Sequence, residues 1–160
     1  MPVGYTERMK NMLSLLFFVS LLSVSSLSAA TEYRCQPTPE DEMGPFYRPD
    51  APLRSKIGNG YLLTGTVISA VDCHPVPAPL IEFWQTSPNG RYDDDYRAAI
   101  ITDATGTYRL ETNLPPAYAS RTPHIHIRVS AKGFQPLVTQ HYLKPGTKAA
   151  RFDLVLIPTQ

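Results

Sequence analysis

An all-β sandwich of antiparallel strands joined by Greek-key connections is the fold the sequence predicts, and three observations lead to it. Fifteen of the 16 prolines lie beyond residue 30, scattered at short intervals that would break any helix. No stretch in that region sustains an apolar period of 3.6 residues. Instead, short runs rich in β-branched and aromatic residues recur between clusters of Gly, Pro, Asn and Asp.

The first 30 residues stand apart from that pattern. Arg8 and Lys10 precede the apolar run Met12 to Val24, and Ser28 and Ala30 occupy the small-residue positions of a cleavage site. This is the pattern of a secretory signal peptide, too short for a comfortable membrane span. An uncleaved anchor is the alternative. The expectation is a secreted or periplasmic protein with no stable membrane insertion after cleavage, organised as signal peptide 1–30, proline-rich arm 31–56 and sandwich core 57–160.

A chain of about 130 residues fits one domain and buries roughly two-thirds of its unfolded surface. Setting aside Arg8, Lys10 and Glu7 from 15 basic and 14 acidic residues leaves 13 of each. A balanced charge leaves no footprint for nucleic acid or an anionic membrane. Small molecules or other proteins are the expected partners. Cys35 and Cys73, in an exported chain, are expected to pair as a disulfide worth roughly 4 kcal/mol on the chain-entropy account. Free thiols or thiolate ligands are the alternative.

The segment Thr31 to Lys56 carries five prolines and reads as an extended arm. Such an arm packs across the sandwich or against a partner chain, which leaves a homo-oligomer open. Gly60 to Ser69 is the first strand, followed after a proline-rich turn by Leu80 to Gln85. Pro88-Asn89-Gly90 marks a turn. Thr107 to Thr112 alternates outward and inward residues, and His124 to Ser130 and Leu137 to Leu143 follow. The last run, Ala150 to Pro158, puts Phe152, Leu154 and Leu156 on one face.

Chemistry enters with His124 and His126. On a strand both imidazoles point to the same face, roughly 7 Å apart at Cα, a spacing able to grip one metal ion. Tyr118 lies six residues before His124, and Tyr92 closes the turn after Trp84. Phenolate is a hard anionic donor and imidazole an intermediate one, so two of each suit ferric iron better than zinc or calcium. A trivalent cation would also draw tyrosine well below its ordinary pKa of about 10. Fe(III) with two tyrosinates and one hydroxide is neutral overall.

The chain here resembles the intradiol ring-cleavage dioxygenases, including the catechol and protocatechuate 3,4-dioxygenases, as a small secreted member. The likeness rests on "GPFYRPDAPLR", on "LLTGTVISAVDCHPVPAPLIEFWQTSPNGRY", on "TDATGTYRLET", on "PPAYASRTPHIHIRV", and on "VTQHY" and "RFDLVL", in that order. It implies Fe(3+) held by Tyr92 and His126 equatorially, with Tyr118 and His124 axial. It implies Arg121 as the group stabilising negative charge on the ring and Gln140 as its partner. Trp84 corresponds to an aromatic near the iron, and Pro45 and Tyr47 to the part of the arm that lines the substrate pocket. The implied reaction inserts both atoms of O2 into a catechol-type diol, giving a cis,cis-muconate-type product. The connection from Tyr92 to Thr102, with nine residues between, is shorter than is usual in the family.

Each role has a plainer rival. Tyr96 could take the place of Tyr92, Tyr118 could simply pack, Trp84 could be core, and Arg121 and Gln140 could be ordinary rim residues. Asp93, Asp94 and Asp95 read as a solvated loop, and His74 and His141 as structural or exposed. Two rival functions remain open at this point. One is a copper or zinc protein using His74, His124, His126 and His141. The other is a non-catalytic, transthyretin-like binding module sharing the same sandwich.

Overall fold

The computed structural model describes residues 32–159, so the expected signal peptide lies outside it. Eight strands follow in order: β1 (Tyr61–Ser69), β2 (Leu80–Trp84), β3 (Arg97–Ile101), β4 (Thr107–Thr112), β5 (His124–Ser130), β6 (Leu137–Tyr142), β7 (Ala149–Arg151) and β8 (Leu154–Leu156). Among the described residues the one helical element is a single 3-10 turn, Asp94–Tyr96. Two four-stranded sheets form, one ordered β4-β1-β7 with β8 also on β1, the other β3-β2-β5-β6. The all-β sandwich is present, with one difference from a purely antiparallel arrangement. Both β7 and β8 run parallel to β1.

Alternation makes the core. Tyr61, Leu63 and Val67 of β1 and Tyr108 and Leu110 of β4 face Ile81 and Phe83 of β2 and Ile125, Ile127 and Val129 of β5, all buried. A cluster of side chains of this size, taken out of water at about 25 cal/mol per Å2, supplies most of the driving force for folding.

The expected single strand over residues 150–158 is broken at Phe152 and Asp153, and Gly65 shows why. The Phe152 carbonyl is drawn close against Gly65, where it also accepts from the Tyr108 hydroxyl at 2.6 Å. Asp153 Oδ1 then accepts from the Thr66 amide at 2.8 Å, so a side chain replaces a ladder carbonyl. A Cβ at Gly65 would collide with that carbonyl and come to 2.7 Å from the Tyr108 ring. Gly65→Ala is therefore expected to cost about 3 kcal/mol through forced separation of β1 and the break. A urea melt checks it, and an unchanged midpoint would mean the close approach is not needed.

The arm takes a defined path. Thr38 N donates to Val155 of β8, Asp41 N to Val138 of β6, and Arg54 N to Ala99 of β3, while Ile57 N donates to Glu111 of β4. Between those anchors it crosses the outer face of the second sheet, so β2 and β5 are buried on both faces. Cys35 and Cys73 are disulfide-bonded, with Cα atoms 5.6 Å apart.

Candidate metal centre

Strand register assembles the polar groups beneath the arm. Arg97, Trp84, His126 and Gln140 form one row across all four strands, and His124 faces Tyr142 in the next row. Because Ile125, Ile127 and Val129 face the core, the alternating histidines of β5 must face the arm. His126 lies flat on Trp84, with ring centroids 4.9 Å apart and planes at 5°. His124 is held through its other nitrogen: Nδ1 donates to the Thr122 carbonyl at 2.7 Å. That assigns the ring proton to Nδ1 and turns the Nε2 lone pair inward.

Three donor atoms then converge. His124 Nε2 and His126 Nε2 are 3.1 Å apart, and Tyr92 Oη lies 3.1 Å from the second and 3.5 Å from the first. Tyr118 meets the Tyr92 ring edge-on at 5.5 Å. Tyr118 and Arg121 close a tight turn, with the Arg121 amide donating to the Tyr118 carbonyl at 2.9 Å. Ala119 within it sits at φ 52°, a left-handed conformation costly for a residue with a side chain. The spacing of three residues thus turns both side chains into one cavity of about 140 Å3, lined by Gly44, Pro45, Phe46, Tyr92, Tyr118, Arg121, His124 and His126.

Proton bookkeeping favours a cation among these donors. With neutral imidazoles and the His124 proton on Nδ1, two protons at most serve three close contacts, so at least one pair of lone pairs faces another. His126 Nδ1 is buried and makes no hydrogen bond of acceptable geometry, although the Glu42 carbonyl lies close by. Burial, then His124 and Arg121, push His126 down to about 4, so no extra proton arrives at neutral pH. Burial pushes Tyr92 up to about 12, against a downward pull from Arg121, which leaves it a phenol unless a cation compensates. Two imidazoles and two phenols around one small cavity fit ferric iron.

Arg121 is held from three sides. Its Nη2 donates to Gln140 Oε1 at 2.9 Å and to the Tyr142 hydroxyl at 3.0 Å, and Nη1 to Glu42 Oε2 at 3.2 Å. Gln140 Nε2 in turn donates to the Glu42 carbonyl at 2.6 Å. Phe46 covers the cavity, stacked on Tyr92 at 4.3 Å and edge-on to Tyr118 at 5.5 Å. Gly44, at φ 70°, lets the arm approach His126; a Cβ there would lie 3.2 Å from the imidazole.

Tyr92, Tyr118, Arg121, His124, His126 and Pro45 therefore line one cavity, with Gln140 and Trp84 directly behind it. Tyr47 does not line it. Its hydroxyl donates to the buried Glu82 carboxylate, which also binds Arg128 Nη1 at 2.7 Å, and its ring tilts onto Trp84 at 5.1 Å. Burial, then the Glu82 charge, raise the Tyr47 pKa. Phe46, one residue earlier, takes the lining position. Tyr96 is not among the lining residues. Asp94 is more than a solvated loop residue, since it pairs with Arg48 and with the nearly buried Arg97.

The four-histidine alternative does not assemble. His74 is exposed beside Asp72, and His141 pairs with Tyr61. Among the described residues no group of three or more His, Cys, Asp or Glu gathers for a metal, and the side-chain oxygen beside the two imidazoles is that of Tyr92. Sequence reasoning missed Glu42, Gly44, Phe46 and Tyr142. Tyr142 was within reach, two residues from Gln140 on the same strand face.

Known proteins resemble this chain in sequence and in fold. The family described as Dioxygenase matches residues 41–156. Chlorocatechol 1,2-dioxygenase of Cupriavidus pinatubonensis is 31% identical over 158 residues, covering 76% of this chain and 61% of that protein. Catechol 1,2-dioxygenase of Acinetobacter baylyi is 32% identical over 141 residues, covering 64% of this chain and 45% of that protein. The chain thus spans about three-fifths or less of the length of these relatives. The dioxygenase domain of a dioxygenase–carbohydrate-binding fusion from Streptomyces sp. SirexAA-E superposes with a TM-score of 0.70 at 28% identity, covering 78% of this chain and 100% of that one.

Proposed function

We propose, from the premise that this chain belongs to the intradiol ring-cleavage dioxygenase family, that it inserts both atoms of O2 into a catechol-type aromatic diol, opening the ring between the two hydroxyl-bearing carbons to a cis,cis-muconate-type product. The observation that carries this reading is the convergence of Tyr92, His124 and His126, with Tyr118 alongside, on one small cavity. In this reading Tyr92, Tyr118, His124 and His126 hold ferric iron. Bound there, the ion would supply Lewis acidity, keeping the diol ionised and its ring electron-rich toward O2.

The chain's own groups do the rest. Ionised while it holds the metal, Tyr118 Oη would take one of the two hydroxyl protons of the incoming diol and become a neutral phenol. The Arg121 guanidinium, already oriented by Gln140 and Tyr142, faces the negative charge that develops on the ring. A fixed charge, oriented before the substrate arrives, stabilises such a transition state without reorganising. Phe46 and Pro45 supply an apolar wall for the ring. A cavity of about 140 Å3 suits a single aromatic ring with small substituents, in keeping with relatives named for chlorocatechol, catechol and hydroxyquinol. A secreted or periplasmic location is part of the same proposal, supported by the Cys35–Cys73 disulfide.

The test is a visible spectrum with metal analysis, repeated after anaerobic addition of catechol. One iron per chain with a broad tyrosinate-to-iron band that moves to longer wavelength on adding catechol is the expected result. A protein that stays colourless after reconstitution with ferric iron would overturn the proposal.

A further inference from the structure

A larger cavity than the metal centre's, about 570 Å3, opens where the two sheets part between β6 and β7. Tyr61 and His141 lie at its back, paired through the phenol oxygen and Nε2 at 2.8 Å, and Phe152, Ala149 and Ala150 supply apolar wall. Burial drives His141 down to about 4, so the ring is neutral at ordinary pH. Assigning the phenol as donor to Nε2 puts the ring proton on Nδ1, which leaves a spare donor on a ring that lines the cavity. Lys144 and Arg151 stand at the rim, and no acidic residue lines the cavity. Arg151 is already paired with Asp153. Among the described residues Lys144 has no such partner.

An apolar cleft with an aromatic wall, a few convergent donors and one uncompensated cation matches the chemistry of a small ring bearing a single negative charge. We infer that this cavity is an accessory binding site for an aromatic carboxylate, ring against Phe152 and the β7 alanines, carboxylate toward Lys144 and His141. Gln140 and Tyr142 also line it, and both hold Arg121, so one strand separates the two cavities. The inference stands independently of the reaction assigned to the metal centre.

Isothermal titration of the whole protein with benzoate tests it. One benzoate per chain is expected beyond any held at the Arg121 cavity, with benzyl alcohol, which lacks the charge, bound there about tenfold more weakly. Lys144→Gln, an exposed position that leaves the fold intact, should weaken benzoate by a similar factor. Ala150→Phe, which fills the cleft, should abolish binding, with its thermal midpoint recorded to show that it folds. Phe46→Ala, in the other cavity, should leave benzoate affinity unchanged. No heat up to about 10 mM benzoate, equal affinity for benzyl alcohol, or binding that is lost in Phe46→Ala and unmoved in Lys144→Gln would each overturn the assignment.

Discussion

Arg121→Ala keeps its metal and loses turnover by about two to three orders of magnitude. The guanidinium lies outside the converged donor set, so iron stoichiometry and the tyrosinate band should survive its removal. What is lost is a preorganised positive charge, and deleting one such donor typically costs roughly 100- to 1000-fold in kcat. KM should move far less, because in the proposed site the substrate's main hold would be the metal. Arg121→Lys separates charge from geometry. Lysine restores the charge but has one nitrogen, so it cannot reproduce the Nη2 contacts to Gln140 and Tyr142 together with the Nη1 contact to Glu42, and a partial recovery is expected. Steady-state kinetics with metal analysis on both variants settles it. Wild-type turnover in Arg121→Ala would remove the arginine from the mechanism.

Tyr92→Phe is the complementary experiment, because it removes an oxygen donor and almost nothing else. The ring keeps its stack on Phe46 at 4.3 Å and its edge contact with Tyr118 at 5.5 Å. The metal-free variant should therefore unfold at close to the parent midpoint. Its iron affinity should fall by at least about 100-fold, since even outer-shell partners are worth about 10- to 100-fold. Tyr96→Phe, outside the cavity, should bind iron as the parent does. The opposite pattern, tight iron in Tyr92→Phe and loss in Tyr96→Phe, would hand the ligand role to Tyr96. Competition against a chelator gives both affinities.

Most of the sandwich was legible because its strands obey local rules. β1 alternates buried and half-exposed residues along its whole length, and β4 and β5 carry the β-branched residues that a pleated surface favours. β3 was not legible. "RAAII" contains two alanines, and its pairing is set by β2 on one side and by Leu53 of the arm on the other. The parallel pairing of β7 and β8 with β1 is equally non-local.

The site divides the same way. Tyr92, Tyr118, Arg121 and the His-x-His pair stand out because their spacing and donor chemistry are written locally. Glu42 and Phe46 take their roles from the arm's docking, across sequence separations such as the 98 residues between Gln140 and Glu42. Tyr47 shows the limit of a resemblance: the neighbouring ring lines the pocket, because the turn at Pro45 and Phe46 lays Phe46 on Tyr92 while Tyr47 reaches Glu82 of β2.

The arm's path has a topological consequence. From Asp41 onward it meets β6, then β5, then β2, then β3, which is the order of the second sheet from edge to edge, before reaching β4 of the first. With β1 behind that sheet and Cys35 joined to Cys73, a covalent ring of 38 residues' separation runs around the second sheet like a lasso. A reduced chain can shed the loop by unwrapping its free end. An oxidised chain has to draw strands out through a closed noose, so the cross-link resists unfolding as a barrier to escape as well as by trimming the entropy of the unfolded chain. During folding the order of events reverses: the second sheet has to be seated before the sulfurs join, and premature oxidation leaves strands on the wrong side of the ring.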